Sequence, residues 1–150
     1  MASYPLNKLG KVIGDAIDKG FRAAIIDTQK QLSERNPVDS GRMASSWFIN
    51  GGGPSGKVRP EEWAEPGAGR VQVEEFDGEI PAEGSWYLTN NVPYAERIAL
   101  DPTVSTSDAS AARTDPRGGG SGGANWFTDV QNVIAPKLIQ SRISAELRKL

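Results

Sequence analysis

The chain has 150 residues, 37% of them hydrophobic, and a formal net charge of −2. That length suits one domain with a core of its own, and the slight acidity argues against a general nucleic-acid binder, which is normally basic. With no cysteine and no histidine, disulfides, thiolate metal sites and thiol catalysis are excluded, and the usual general base near neutral pH is missing. The 17 glycines and 10 prolines fall short of the share that marks wholesale disorder and point to an ordered domain carrying polar loops. No apolar run approaches the about 20 residues of a membrane span. Met1-Ala2-Ser3-Tyr4-Pro5 lacks the charged-then-apolar pattern of a secretory leader, so the expectation is a chain used in a cytoplasm or in a particle assembled there.

The spacing predicts one amphipathic helix over 5–35. Leu6, Leu9, Ile13, Ile17, Phe21, Ile25 and Leu32, with Ala16, Gly20, Ala24 and Thr28 between them, recur at three- and four-residue steps. Pro5 suits a first turn, where its missing N–H is not needed. Lys11/Asp15, Asp15/Lys19 and Asp18/Arg22 stand four apart and can pair, each contributing ~0.2–0.5 kcal/mol. Gly10, Gly14 and Gly20 each weaken the helix by about 1 kcal/mol relative to alanine. Close approach of another backbone, expected to be a sheet, is the compensation they suggest. Val12 and Ile26 fall off the stripe and are either lone exposed aliphatics or contacts to a neighbouring subunit.

Asn36-Pro37 ends the helix, because proline disfavours the helical region for the residue before it. Asp39-Ser40-Gly41 supplies a turn. A strand is then expected over 43–50, with Trp47 and Ile49 on one face and Phe48 on the other. Residues 51–69 read as loop. Gly51 to Gly56 followed by Lys57 has the spacing of a phosphate-binding loop, but Val58 replaces the Ser or Thr of that motif and Pro60 bars the helix it requires.

Arg70 to Phe76 partly alternates, and Asp77-Gly78 signals a hairpin before Pro81 interrupts the return strand. Ser85 to Asn91 reads as a further strand, giving a small, mainly antiparallel sheet of three or four strands. Glu61, Glu62, Glu65, Glu74, Glu75, Asp77, Glu79 and Glu83 face one basic residue, Arg70, within 60–83. Such a stretch is either an ordinary solvated surface, a face for a basic partner, or the wall of a channel that repels DNA phosphate. Residues 101–124 are low in complexity and read as a flexible arm. Asn125 is placed to cap a last helix, whose stripe runs from Trp126 and Phe127 through Val130, Ile134 and Leu138 to Leu147, with a bend or break near 132–136 imposed by Pro136. Lys137, Arg142, Arg148 and Lys149 gather toward its C-terminus, which suits the helix dipole or the acidic face of a neighbour. The fold class is therefore α+β, a single domain over 1–150 with extended loops at 51–69 and 101–124.

Three stretches carry a resemblance: Pro37-Val38-Asp39-Ser40-Gly41-Arg42 leading into Ser46-Trp47, then Asn90-Asn91-Val92-Pro93-Tyr94-Ala95, then Trp126-Phe127 opening the last helix. In order and rough spacing they resemble the neck or minor tail-component (tail completion, head-tail joining) proteins of tailed bacteriophages. Many of those proteins follow the second stretch with a Gly-containing turn, where this chain has Glu96-Arg97-Ile98-Ala99-Leu100. The resemblance implies a structural virion protein, not an enzyme, in a homo-oligomeric head-to-tail connector ring that joins and seals the portal side to the tail. It implies as partners further copies of the chain, a portal, adaptor or head-closure protein, and a tail terminator or tail tube protein. DNA would pass the lumen without specific binding, with no membrane and no cofactor or metal involved. Candidate assembly contacts are Asp39, Arg42, Trp47, Asn90, Asn91, Pro93 and Tyr94, residue types that also favour turns and cores. The alternative within the virion is a tail terminator capping the tail tube. A more distant one is a carboxylate-based cell-wall hydrolase, which needs two acids at a set separation; a third is a bacterial adaptor or toxin-system protein.

Overall fold

Asn36 adopts φ −61° and ψ 128°, the extended geometry forced on a residue before proline, and ends helix α1 (Leu6–Arg35) after 30 residues. The computed structural model describes residues 5–100 and 125–150; the expected arm at 101–124 lies outside them. After α1 come strand β1 (Phe48–Gly51), a short 3-10 turn at Glu61–Trp63, strand β2 (Trp86–Thr89) and helix α2 (Ala95–Leu100). The C-terminal part comprises α3 (Trp126–Asp129), a π-helical turn (Val130–Ile134) and α4 (Ala135–Leu147). The architecture is α+β. The π turn ends at Ile134, one residue short of Pro136, whose missing N–H and ring would disturb a regular helix; the irregularity expected there is a π turn inside an unbroken helical run, not a break. Asn125 makes no side-chain capping bond, contrary to expectation; its carbonyl instead accepts from Asp129 N at 2.9 Å and Thr128 Oγ1 at 3.2 Å.

On α1 the buried positions Ala16, Gly20, Ala24, Thr28 and Leu32 follow one another at steps of four. The small residues among them let α4 lie close along α1. A Cβ on Gly20 would stand 2.6 Å from Ile143 Cα and 2.8 Å from the Arg142 carbonyl oxygen, so only glycine fits this crossing. The close approach expected of the helix glycines is thus real at Gly20, but its partner is the C-terminal helix. A Cβ on Gly10 or Gly14 would meet nothing within 4 Å among the described residues. Arg142 Nε donates to Asp27 Oδ2 at 2.7 Å and clips the two helices together.

The sheet has two strands, paired antiparallel with Phe48 opposite Thr89 and Gly51 opposite Trp86. Three or four were expected, and two local causes account for the difference. Residues 42–45 curl into a turn, with Ser45 N donating to Gly41 O and Ser46 N to Met43 O, each at 3.0 Å, so the strand expected from Met43 begins only at Phe48. Gly41 makes this corner possible: its φ is +91°, and a Cβ there would lie 1.8 Å from the Arg70 carbonyl oxygen.

The second cause is that residues 69–82 form a strap instead of a ladder strand. Gly69 N and Arg70 N donate to Asp39 O and Ser40 O, each at 2.9 Å. Alternate carbonyls then accept from side chains: Arg70 O from Ser45 Oγ at 3.1 Å, Gln72 O from an Arg59 terminal nitrogen at 2.9 Å, and Glu74 O from Gln29 Nε2 at 3.2 Å. Arg22 closes the series, donating to Phe76 O at 3.1 Å and Gly78 O at 2.8 Å, and Ala82 N donates to Asp18 Oδ1 at 2.9 Å. A period of two in backbone direction is that of an extended chain. Asp18, Arg22 and Gln29 thus bind the strap along α1.

Candidate functional site

The three stretches that carry the sequence resemblance meet in one place. Met43 and Trp47 of the corner, Val92 and Ala95 of the second stretch, and Trp126 and Val130 of the third form one buried cluster with Leu32 of α1. Trp47 stacks on Phe127 at 5.9 Å and 15° and meets Trp126 edge-on at 6.3 Å and 81°. Its indole N–H donates to Asn36 Oδ1 at 3.1 Å, which locks the helix end to the aromatic cluster. Trp126 is fully buried, and its Nε1 has no hydrogen-bond partner among the described residues.

Five of the seven candidate contacts serve internal geometry. Asp39 Oδ1 accepts from Gly67 N at 2.9 Å, although the residue itself is exposed. Arg42 is 8% exposed, and its Nε donates to Arg59 O at 2.8 Å. Trp47 is core. Asn90 Nδ2 donates to Met43 O at 2.8 Å and so joins the second stretch to the corner. Asn91 Nδ2 donates to Ser55 O at 2.6 Å and Lys57 O at 2.9 Å, holding the loop that follows β1. Pro93 and Tyr94 remain exposed, Tyr94 at 37%. Nearby, a cleft of about 280 Å³ is lined by Trp47, Leu88, Ala95, Ala99, Leu100 and Phe127, with Leu100 52% exposed.

No family model, curated protein or solved structure matches this chain.

Sequence reasoning missed a cation–aromatic stack beside the corner. The Arg70 guanidinium lies 3.4 Å and that of Arg59 4.6 Å from the Trp63 ring centroid. Arg59 also stands 5.7 Å from the Phe48 ring, and Lys57 Nζ 5.9 Å. Phe48 is therefore covered by this chain's own loop. The signal was a lone tryptophan in a Gly- and Pro-rich loop with an arginine on either side. None of Arg42, Arg59 and Arg70 forms an ion pair among the described residues.

All eight acids of 60–83 are exposed, and Glu74 pairs with Lys57 at 2.8 Å. Among the described residues no three acidic side chains stand close enough to hold a metal ion, and no helix is long and apolar enough to cross a membrane. At the helix ends, the hydrogen bond to Asp15 raises the Lys11 ammonium above its ordinary range, and the Lys149 ammonium holds the Glu146 carboxyl below its own. The described surface carries an apolar cleft, stacked guanidinium groups and a row of carboxylates.

Proposed function

We propose that this chain is a structural virion protein of a tailed phage, one copy of the connector ring that joins the portal side of the head to the tail and seals the joint. On this reading it performs no chemistry. Its neighbours are further copies of itself, a portal, adaptor or head-closure protein on one side, and a tail terminator or tail tube protein on the other. Its place is the virion neck.

One observation supports the ring beyond the sequence resemblance. Exposed large apolar side chains occur at both ends of the long helix. Leu6, 88% exposed, stands with the exposed Leu9 and Ile13 at its start. Tyr94 and Leu100 are exposed beside the cluster that packs around Leu32 near its finish. Leu6 and Leu32 are separated by roughly 39 Å along the helix axis, at 1.5 Å per residue. Two distinct apolar patches on one subunit favour a heterologous, head-to-tail contact, and such a contact closes into a ring when its rotation allows. The eight exposed acids suit a surface facing DNA that must slide past without adhering.

The test is imaging of the purified chain and of virions whose copy of it carries a tag. Rings in the first, or tag density at the neck in the second, support the proposal. A protein that stays monomeric, is absent from particles and releases fragments from cell-wall material would replace it with the hydrolase reading.

A further inference from the structure

The strap presents a backbone edge that no other described residue uses. The carbonyls of Arg70, Gln72, Glu74, Phe76 and Gly78 face the body, where Ser45, Arg59, Gln29 and Arg22 donate to them. In an extended chain the N–H and C=O of one residue point to the same side, and those of the next residue to the other. The intervening residues Val71, Val73, Glu75 and Asp77 accordingly direct their backbone groups outward, and these make no hydrogen bond among the described residues. The result is a strand edge held from behind and, among the described residues, unpaired in front. Such an edge is a template for a strand from another chain.

We propose that residues 71–77 are a docking edge for an extended, basic segment of a partner protein, which adds to the strap as a β-strand. Charge selects the occupant. Glu75 and Asp77 lie on the docking stretch itself, with Glu79 just beyond, and all three are exposed; Glu74, beside them in the chain, is already paired with Lys57. Cross-strand neighbours of opposite sign attract, and like charges directly opposite repel. A second copy pairing strap to strap would set carboxylate against carboxylate, so the occupant carries Lys or Arg at alternate positions. Beside the edge a cleft of about 300 Å³, bordered by Ile26, Val73 and Phe76 with Lys30 at its rim, offers a seat for an apolar side chain of the incoming strand. Main-chain pairing supplies the affinity, and charge and cleft supply the selectivity.

The probes are a short blocked peptide alternating Lys with Val, the same peptide with Glu for Lys, and the basic peptide N-methylated at alternate residues. Binding is followed by fluorescence anisotropy and by residue-resolved amide exchange. The basic peptide is expected to bind and to slow exchange at Val71, Val73, Glu75 and Asp77, while the acidic and N-methylated peptides fail to bind. Glu75→Pro removes an outward N–H that has no partner among the described residues, so it should weaken the basic peptide about tenfold and leave the thermal midpoint unchanged. Glu75→Lys combined with Asp77→Lys should reverse the preference between the two charged peptides. Absence of binding up to millimolar peptide, protection elsewhere in the chain, or equal binding of the N-methylated peptide would overturn the proposal. The measurement is made on the isolated protein whatever its oligomeric state, so its failure leaves the ring reading standing, and a monomer in solution leaves this inference standing.

Discussion

Gly20 of α1 and Ile143 of α4 approach so closely that a Cβ on the glycine would stand 2.6 Å from the isoleucine Cα. The obstacle is backbone, which cannot swing aside as a side-chain tip can. Gly20→Ala should therefore destabilise the protein by about 1–3 kcal/mol, as overpacking does, despite alanine's better helix propensity. Gly10→Ala and Gly14→Ala meet no described residue within 4 Å and should stabilise by up to about 1 kcal/mol each. Urea unfolding of the three variants checks the difference in sign.

Asn36 is buried, and its side-chain oxygen accepts the indole N–H of buried Trp47 at 3.1 Å. Asn36→Ala leaves that N–H inside the core without an acceptor, a loss of about 1–3 kcal/mol. Denaturant unfolding followed by tryptophan fluorescence measures it. Asn36→Asp should not rescue it: a carboxylate there is fully buried and sets an oxygen against the Pro37 carbonyl, to which Asn36 Nδ2 donates at 2.7 Å.

Arg22 holds two strap carbonyls and Gln29 a third. Arg22→Ala should release residues 74–80 locally, at about 1–3 kcal/mol for hydrogen bonds from a charged donor. Faster amide exchange and protease cleavage confined to that stretch, with α1 and α4 protected as before, is the expected pattern. Arg22→Lys should rescue little, since an ammonium cannot span both carbonyls as the guanidinium fork does.

Leu6 and Leu9 contribute to the exposed patch at the start of α1. Leu6→Glu combined with Leu9→Glu should leave the stability of the monomer within about 0.5 kcal/mol, as is usual for surface changes. It should abolish ring formation if that patch seats the next subunit. Sedimentation velocity beside a thermal melt separates the two effects.

The extent of α1 was legible because a 3.6-residue period and the rule for residues before proline are both local. The corner at Gly41 and a helix irregularity close to Pro136 were legible for the same reason. The strap was not. Val71 and Val73 alternate as in a sheet strand, and Asp18 and Arg22 stand four apart as in a helix-surface ion pair. The fold instead joins the two regions, through bonds that span 54, 56 and 64 positions of sequence. Likewise Asn90 and Asn91 read as contacts for a partner, yet they hold Met43 and the loop at 55–57 of their own chain. Short-range rules report where a backbone bends and which face of a helix is apolar, because those preferences are set by neighbouring residues. Which buried carbonyl a distant arginine or asparagine satisfies depends on what packing brings within about 3 Å of it, and only the tertiary structure decides that.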